Sequence, residues 1–154
     1  MKITIPYKPR PLQKEIHKNL KRFNVPGCHR RFGKTVLTVN EIIKKCLQNK
    51  LPRPRYYYIA PTYSMAKRIA WDYLKYYTSV LPKMEYHETE LRADLPNGGR
   101  IQLLGCERPQ TLKGLYMDGV ILDEVAQMPP KMWTEVIRPA LSDRKGYCVF
   151  IGTP

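Results

Sequence analysis

The fold class this sequence predicts is an α/β domain with a central, mostly parallel β-sheet flanked by helices, and three observations predict it. Short β-rich runs alternate with longer segments of helical periodicity. Pro96-Asn97-Gly98-Gly99 separates two strand-like runs as a β-hairpin turn would. Gly33-Lys34-Thr35 stands at the start of an amphipathic segment, where a strand-to-helix loop is expected.

Each element follows from local chemistry. After a proline-rich patch at 6–11, residues 12–23 carry Leu12, Ile16 and Leu20 at helical spacing. Residues 23–27 form a short strand-like lead into the glycine loop. A helix is predicted over 35–48, with Val36, Val39, Ile43 and Leu47 as its apolar stripe. The run 55–60 is β-rich and is stopped by Pro61. A helix over 63–81 carries Ile69, Leu74, Tyr77 and Val80, and the hairpin joins 90–95 to 100–104. A buried strand at 118–122, a helix at 131–141 and a last strand at 147–151 complete the pattern.

Composition narrows the function classes. A chain of 154 residues, 43% hydrophobic and 26% charged, is the size of one globular domain. It has no apolar run of membrane-spanning length and no long apolar stretch near Met1, so a soluble cytoplasmic protein is expected. Cys28, Cys46, Cys106 and Cys148 are widely scattered, as are His17, His29 and His87. Reduced, mostly buried thiols are expected, and no metal cage made of side chains alone. Twenty-seven Lys and Arg against 13 acidic residues give a net charge of +14, which implies a polyanionic partner, with nucleic acid favoured over membrane.

Two motifs carry the chemistry. In the loop 27–35, backbone N–H groups and the following helix start can cradle phosphate. Lys34 can reach the β- and γ-phosphates, and Thr35 can offer its hydroxyl to Mg2+. The loop is unusual, because Cys28 stands where a phosphate loop has its first glycine and Arg30 and Arg31 lie inside it. The alternative is a basic turn at a helix start. The second motif is the apolar run 119–122 ending in Asp123-Glu124. Asp123 can hold the Mg2+ water shell opposite Thr35, while Glu124 can orient or deprotonate an attacking water. The alternative there is a helix cap. Gly152-Thr153-Pro154 follows the last strand, where Thr153 could sense a γ-phosphate.

These three elements, in this order, resemble the ATPase domain of the large terminase subunit of tailed bacteriophages. That subunit belongs to the additional-strand catalytic-glutamate (ASCE) class of P-loop NTPase motors. The resemblance covers nearly the whole chain. His29-Arg30-Arg31-Phe32-Gly33-Lys34-Thr35 is similar to the family's arginine-bearing phosphate loop, and Arg10-Pro11-Leu12-Gln13 to its adenine-recognition motif. Ile59-Ala60-Pro61-Thr62-Tyr63, Asn97-Gly98-Gly99-Arg100-Ile101 and Leu112-Lys113-Gly114 match further motifs, and Asp123-Glu124 and Gly152-Thr153-Pro154 resemble the catalytic and coupling motifs.

The resemblance implies a P-loop NTPase fold with a β-hairpin insertion and Mg-dependent ATP hydrolysis coupled to translocation of double-stranded DNA into a procapsid. Glu124 and Arg30 are then the catalytic residues, Arg30 as an arginine finger or a coupling element. Gln13, Arg31, Gly33, Lys34, Thr35, Asp123 and Thr153 bind the nucleotide, and Thr35 and Asp123 hold Mg2+. Salt bridges that shape the loop are the competing role for Arg30 and Arg31, and a helix-start cap is the competing role for Gln13. The implied partners are the portal protein, the small terminase subunit and further copies of the chain on the portal. The implied location is the host cytoplasm, transiently at the portal vertex. Residues 1–154 are expected to be an N-terminal ATPase domain cut short at its C-terminal end, without the family's nuclease domain. Lys113, Arg108, Arg53 and Arg55 are candidate DNA contacts. The rival readings are the ATPase lobe of a helicase or translocase, and a nucleic-acid-binding module that holds nucleotide without turnover.

Overall fold

The computed structural model describes residues 4–19, 23–24, 33–107 and 112–152. Seven strands form one sheet: β1 (Phe23–Asn24), β2 (Arg55–Ala60), β3 (Glu85–His87), β4 (Arg92–Asp94), β5 (Arg100–Gly105), β6 (Gly119–Asp123) and β7 (Tyr147–Ile151). Their spatial order is β1-β7-β6-β2-β5-β4-β3. The first five are mutually parallel, whereas β4 adds antiparallel to β5 and β3 adds antiparallel to β4. The strand that leads towards the glycine loop is therefore separated from the acidic strand β6 by β7, the additional strand that the resemblance implies. The predicted hairpin is present as β4 and β5, consecutive members of the sheet.

The central strands are buried on both faces, which parallel sheets require. Along β2, Tyr56, Tyr58 and Ala60 enter one core and Tyr57 and Ile59 the other, the period-two alternation of a strand. The first core also takes Ile121, Val149 and Ile151 from β6 and β7, together with Val39, Ile42, Ile43 and Cys46 of helix α2 (Lys34–Gln48). Leu74 and Trp71 close it from a long helix that runs from α3 (Tyr63–Ala66) through a π turn (Lys67–Trp71) into α4 (Asp72–Thr78). The opposite core holds Val120, Leu122 and Cys148 against a π segment (Met132–Ile137) that continues as α5 (Arg138–Ser142). Cys46, Cys106 and Cys148 are buried free thiols, and burial pushes Cys46 up to about 12 and Cys106 to about 11. Cys28 lies outside the described residues.

Several bounds differ from the sequence reading. The first helix, α1, covers Pro11–Asn19 and not 12–23, since Phe23 already pairs with Cys148 across the parallel β1–β7 ladder. The side chains of Leu12, Ile16 and Leu20, its predicted apolar face, lie outside the described set. The long helix ends at Thr78 and not at 81. The acidic strand runs one residue further than read, so that Asp123 is its last member. Strand β3 and the short 3-10 turn Val125–Gln127 were not anticipated. Pairing of β3 with β4 brings Glu85, His87 and Asp94 together, where the sequence reading foresaw no such grouping. Asp94 is already paired with Arg100 at 2.7 Å and with Arg92 at 3.5 Å.

Two polar anchors hold the layers in register. The Thr62 hydroxyl accepts from the Met65 amide at 3.1 Å and so caps α3 directly after Pro61 breaks β2. At the other end of the sheet, buried Asp118 accepts from the Arg55 amide at 2.7 Å and from Arg144 Nε at 3.0 Å. It thereby ties the starts of β2 and β6 to the turn after α5. Removing the carboxylate takes the acceptor from the Arg55 amide, while Arg144 keeps the Pro52 and Arg53 carbonyls. Asp118→Ala is expected to lower stability by about 2 kcal/mol, read as a reduced urea midpoint with unchanged slope.

Candidate nucleotide site

The parallel strands β2, β6 and β7 all end at one edge of the sheet, and the N-terminus of α2 arrives at the same edge. Gly33 makes the entry to α2 with φ 80 and ψ 40, a left-handed conformation suited to glycine. A Cβ there would stand 2.9 Å from the side-chain ends of Arg10 (Nη2) and Gln13 (Nε2), which could move aside, so the backbone conformation is what favours glycine.

Lys34 follows as the first residue of α2. Its ammonium donates to the Gly152 carbonyl at 2.6 Å, crossing from the loop to the end of β7. The phenol of Tyr58 donates to Asp123 Oδ2, and Thr35 lies close to the same hydroxyl. The glycine loop and the acidic strand, distant in sequence, therefore meet around one phenol. Tyr58 is fully buried, whereas Asp123 is 5% exposed. Burial pushes the Asp123 carboxyl above its ordinary value, as does the neighbouring Glu124, while the Tyr58 hydrogen bond and the Lys34 charge pull it down. Burial and Asp123 together hold the Tyr58 phenol well above its usual value, which keeps it a neutral donor.

Glu124 leaves the strand in the left-handed region, with φ 53 and ψ 49. It precedes the 3-10 turn without capping it through its side chain, unlike the capping alternative. Its Cα lies 4.0 Å from where a Gly152 Cβ would be, so the residues following β6 and β7 are neighbours.

Gln13 sits in the third position of α1, 4% exposed. Its Oε1 accepts from the Arg10 amide at 2.9 Å, the reach-back bond of a capping box. Its Nε2 donates to the Gly33 carbonyl at 3.3 Å, so the side chain also ties α1 to the glycine loop. A second tie lies further along, where buried Glu41 of α2 pairs with His17 of α1 and His17 accepts from or donates to Tyr7 Oη at 2.8 Å.

Arg30, Arg31 and Thr153 lie outside the described residues, as does Arg108. Arg53 and Arg55 stand at the start of β2, at the opposite edge of the sheet from the site. The Arg55 guanidinium is engaged by the Pro54 and Gly98 carbonyls at 3.0 and 3.1 Å. Lys113 is exposed. Tyr58 is the site residue that sequence reasoning missed. The available signal was a phenol in the middle of a strand buried on both faces, where its hydroxyl must find a partner.

No family model matches the chain. The large terminase subunit of Thermus phage G20c is 29% identical over 167 residues, an alignment covering 96% of this chain, and that of Thermus virus P23-45 matches to the same extent. The chain spans about a third of the length of these curated relatives (34%). Among solved structures, the large terminase ATPase domain of Thermus phage P74-26 superposes with a TM-score of 0.83 at 28% identity, covering 97% of this chain and 66% of that one. No described helix is long and apolar enough to cross a membrane. Over nearly its whole length the chain is thus similar, in sequence and in its P-loop NTPase fold, to the ATPase domain of phage large terminase subunits.

Proposed function

We propose that this chain is the Mg-dependent ATPase domain of a motor that packages double-stranded viral DNA. The observation that carries the reading is the junction of Lys34, Thr35, Asp123 and Gly152 at one sheet edge, beside a helix N-terminus. A hydroxyl oxygen and a carboxylate oxygen are hard donors of the kind Mg2+ takes, so Thr35 and Asp123, close to one phenol, fit that ion. When bound with nucleotide, Mg2+ supplies charge neutralisation on the phosphates.

The chain's own residues do the rest. Lys34 leaves Gly152 for the β- and γ-phosphates, and Gly33 lets the backbone approach them closely. Glu124 orients a water towards the γ-phosphorus and accepts its proton as the bond to the β,γ-bridging oxygen breaks. Gln13 reads the adenine edge, exchanging part of its present bonding for the base. Arg31 lies along the phosphates, Arg30 braces developing charge as a finger, and Thr153 senses the γ-phosphate. The net charge of +14 supports a phosphate-gripping role on DNA, with binding that weakens steeply with salt. By similarity to terminase large subunits, the portal protein, the small terminase subunit and further copies of this chain are the proposed partners. The host cytoplasm is the proposed location. The fragment is proposed to be the N-terminal ATPase part of a longer subunit, and cutting of DNA is not proposed for these residues.

The direct test is calorimetric titration with ATP in the presence of Mg2+, for which saturable binding is expected; no binding would sink the reading. Glu124→Gln should lower the rate of phosphate release at least about 100-fold while ATP affinity stays within about twofold. Gln13→Ala should weaken ATP relative to GTP, and an unchanged preference would return Gln13 to a purely capping role. Arg30→Ala should reduce kcat far more than ATP affinity, whereas equal losses in both would remove the finger.

A further inference from the structure

We propose that Tyr58 is a positioning residue for the metal–nucleotide complex, its phenol fixing how Asp123 presents its oxygens. The inference rests on the reading of this edge as an Mg–ATP site. Tyr58 pairs with Ile121, and both side chains enter the core beneath α2. Two residues further along β6, Asp123 points to that same face. The Tyr58 side chain therefore runs alongside the acidic strand and ends level with its last residue.

Packing alone would be met by phenylalanine. A buried phenol needs a hydrogen-bonding partner. The partner of Tyr58 is Asp123, a residue proposed to hold Mg2+. Donation to Asp123 occupies Oδ2 and leaves Oδ1 as the other oxygen of that carboxylate. A single neutral hydroxyl thus sets the orientation of this carboxylate without adding charge.

The test separates metal-dependent from metal-independent binding. Wild-type chain and Tyr58→Phe are titrated with ATP, first in EDTA and then with saturating Mg2+. Wild-type binding should tighten with Mg2+. In Tyr58→Phe, affinity in EDTA should stay within about twofold, while the tightening by Mg2+ should shrink roughly three- to tenfold, the scale of one lost hydrogen bond. Half-saturation in Mg2+ should rise in step. A structural role would instead weaken ATP equally in both conditions, and that result, or an unchanged Mg2+ effect, would overturn the proposal. Failure of the wild-type chain to bind ATP more tightly with Mg2+ would overturn the parent reading itself, which the variant's behaviour alone does not. If Tyr58→Phe does not fold, the wild-type chain carries the test through 13Cζ-tyrosine NMR with ADP. One buried tyrosine line should shift on adding Mg2+ and broaden when Mn2+ replaces it; no tyrosine line responding would overturn the proposal.

Discussion

The parallel register of β2, β6 and β7 is the constraint from which the candidate site follows. Tyr58 lies opposite Ile121, Ile121 opposite Val149, and Asp123 opposite Ile151. Because side chains alternate between faces, this register sends Tyr58, Ile121, Asp123, Val149 and Ile151 towards α2. A slip of one residue would turn Asp123 towards α5 and carry Val120 and Leu122 into the wrong core. The two apolar cores therefore fix the position of the carboxylate before any polar contact is made. Asp118 reinforces the same register from the opposite end of β6, through the Arg55 amide.

Elements that draw their definition from local composition were legible in the sequence. Strands β2 and β7 begin and end where read, since Pro61 stops the first and Gly152 follows the second. The turn at Gly98, with φ 83, was equally plain, and Asn97 strengthens it by donating to the Cys46 carbonyl at 2.9 Å. What depends on distant pairing was not legible. Strand β3 has three residues without a pattern of their own and exists because β4 offers a ladder. The first helix was read too long because residues favouring helix continue towards Phe23, whose pairing with β7 overrides that preference. At the site, Gly33, Lys34, Thr35, Asp123 and Glu124 announce themselves by motif. Tyr58 does not, because its relevance arises only when β2 is laid beside β6.

The glycine loop also receives support from outside the sheet. Gln13 holds the Gly33 carbonyl, and the His17–Glu41 pair fastens the next turn of α1 to α2. Glu41 is fully buried and its second oxygen, Oε1, is without a hydrogen bond. Its other oxygen, Oε2, meets His17 Nδ1 and, at 3.6 Å, the Lys44 ammonium. The segment proposed to read adenine and the helix proposed to hold phosphates are therefore joined at two levels. Movement of α1 relative to α2 would disturb both together.

Glu124 shows how adjacent carboxylates can take different work. Were the strand to continue, Asp123 and Glu124 would point to opposite faces, and Glu124 would face α5, away from α2. The left-handed turn at Glu124 breaks that alternation directly after Asp123. For a residue with a Cβ this conformation costs roughly 1–2 kcal/mol, which glycine would avoid. The turn brings Glu124 beside Gly152, whose carbonyl holds Lys34. Asp123 is left at the strand end with Tyr58, while Glu124 departs from the sheet beside Gly152, so the two adjacent carboxylates occupy different surroundings.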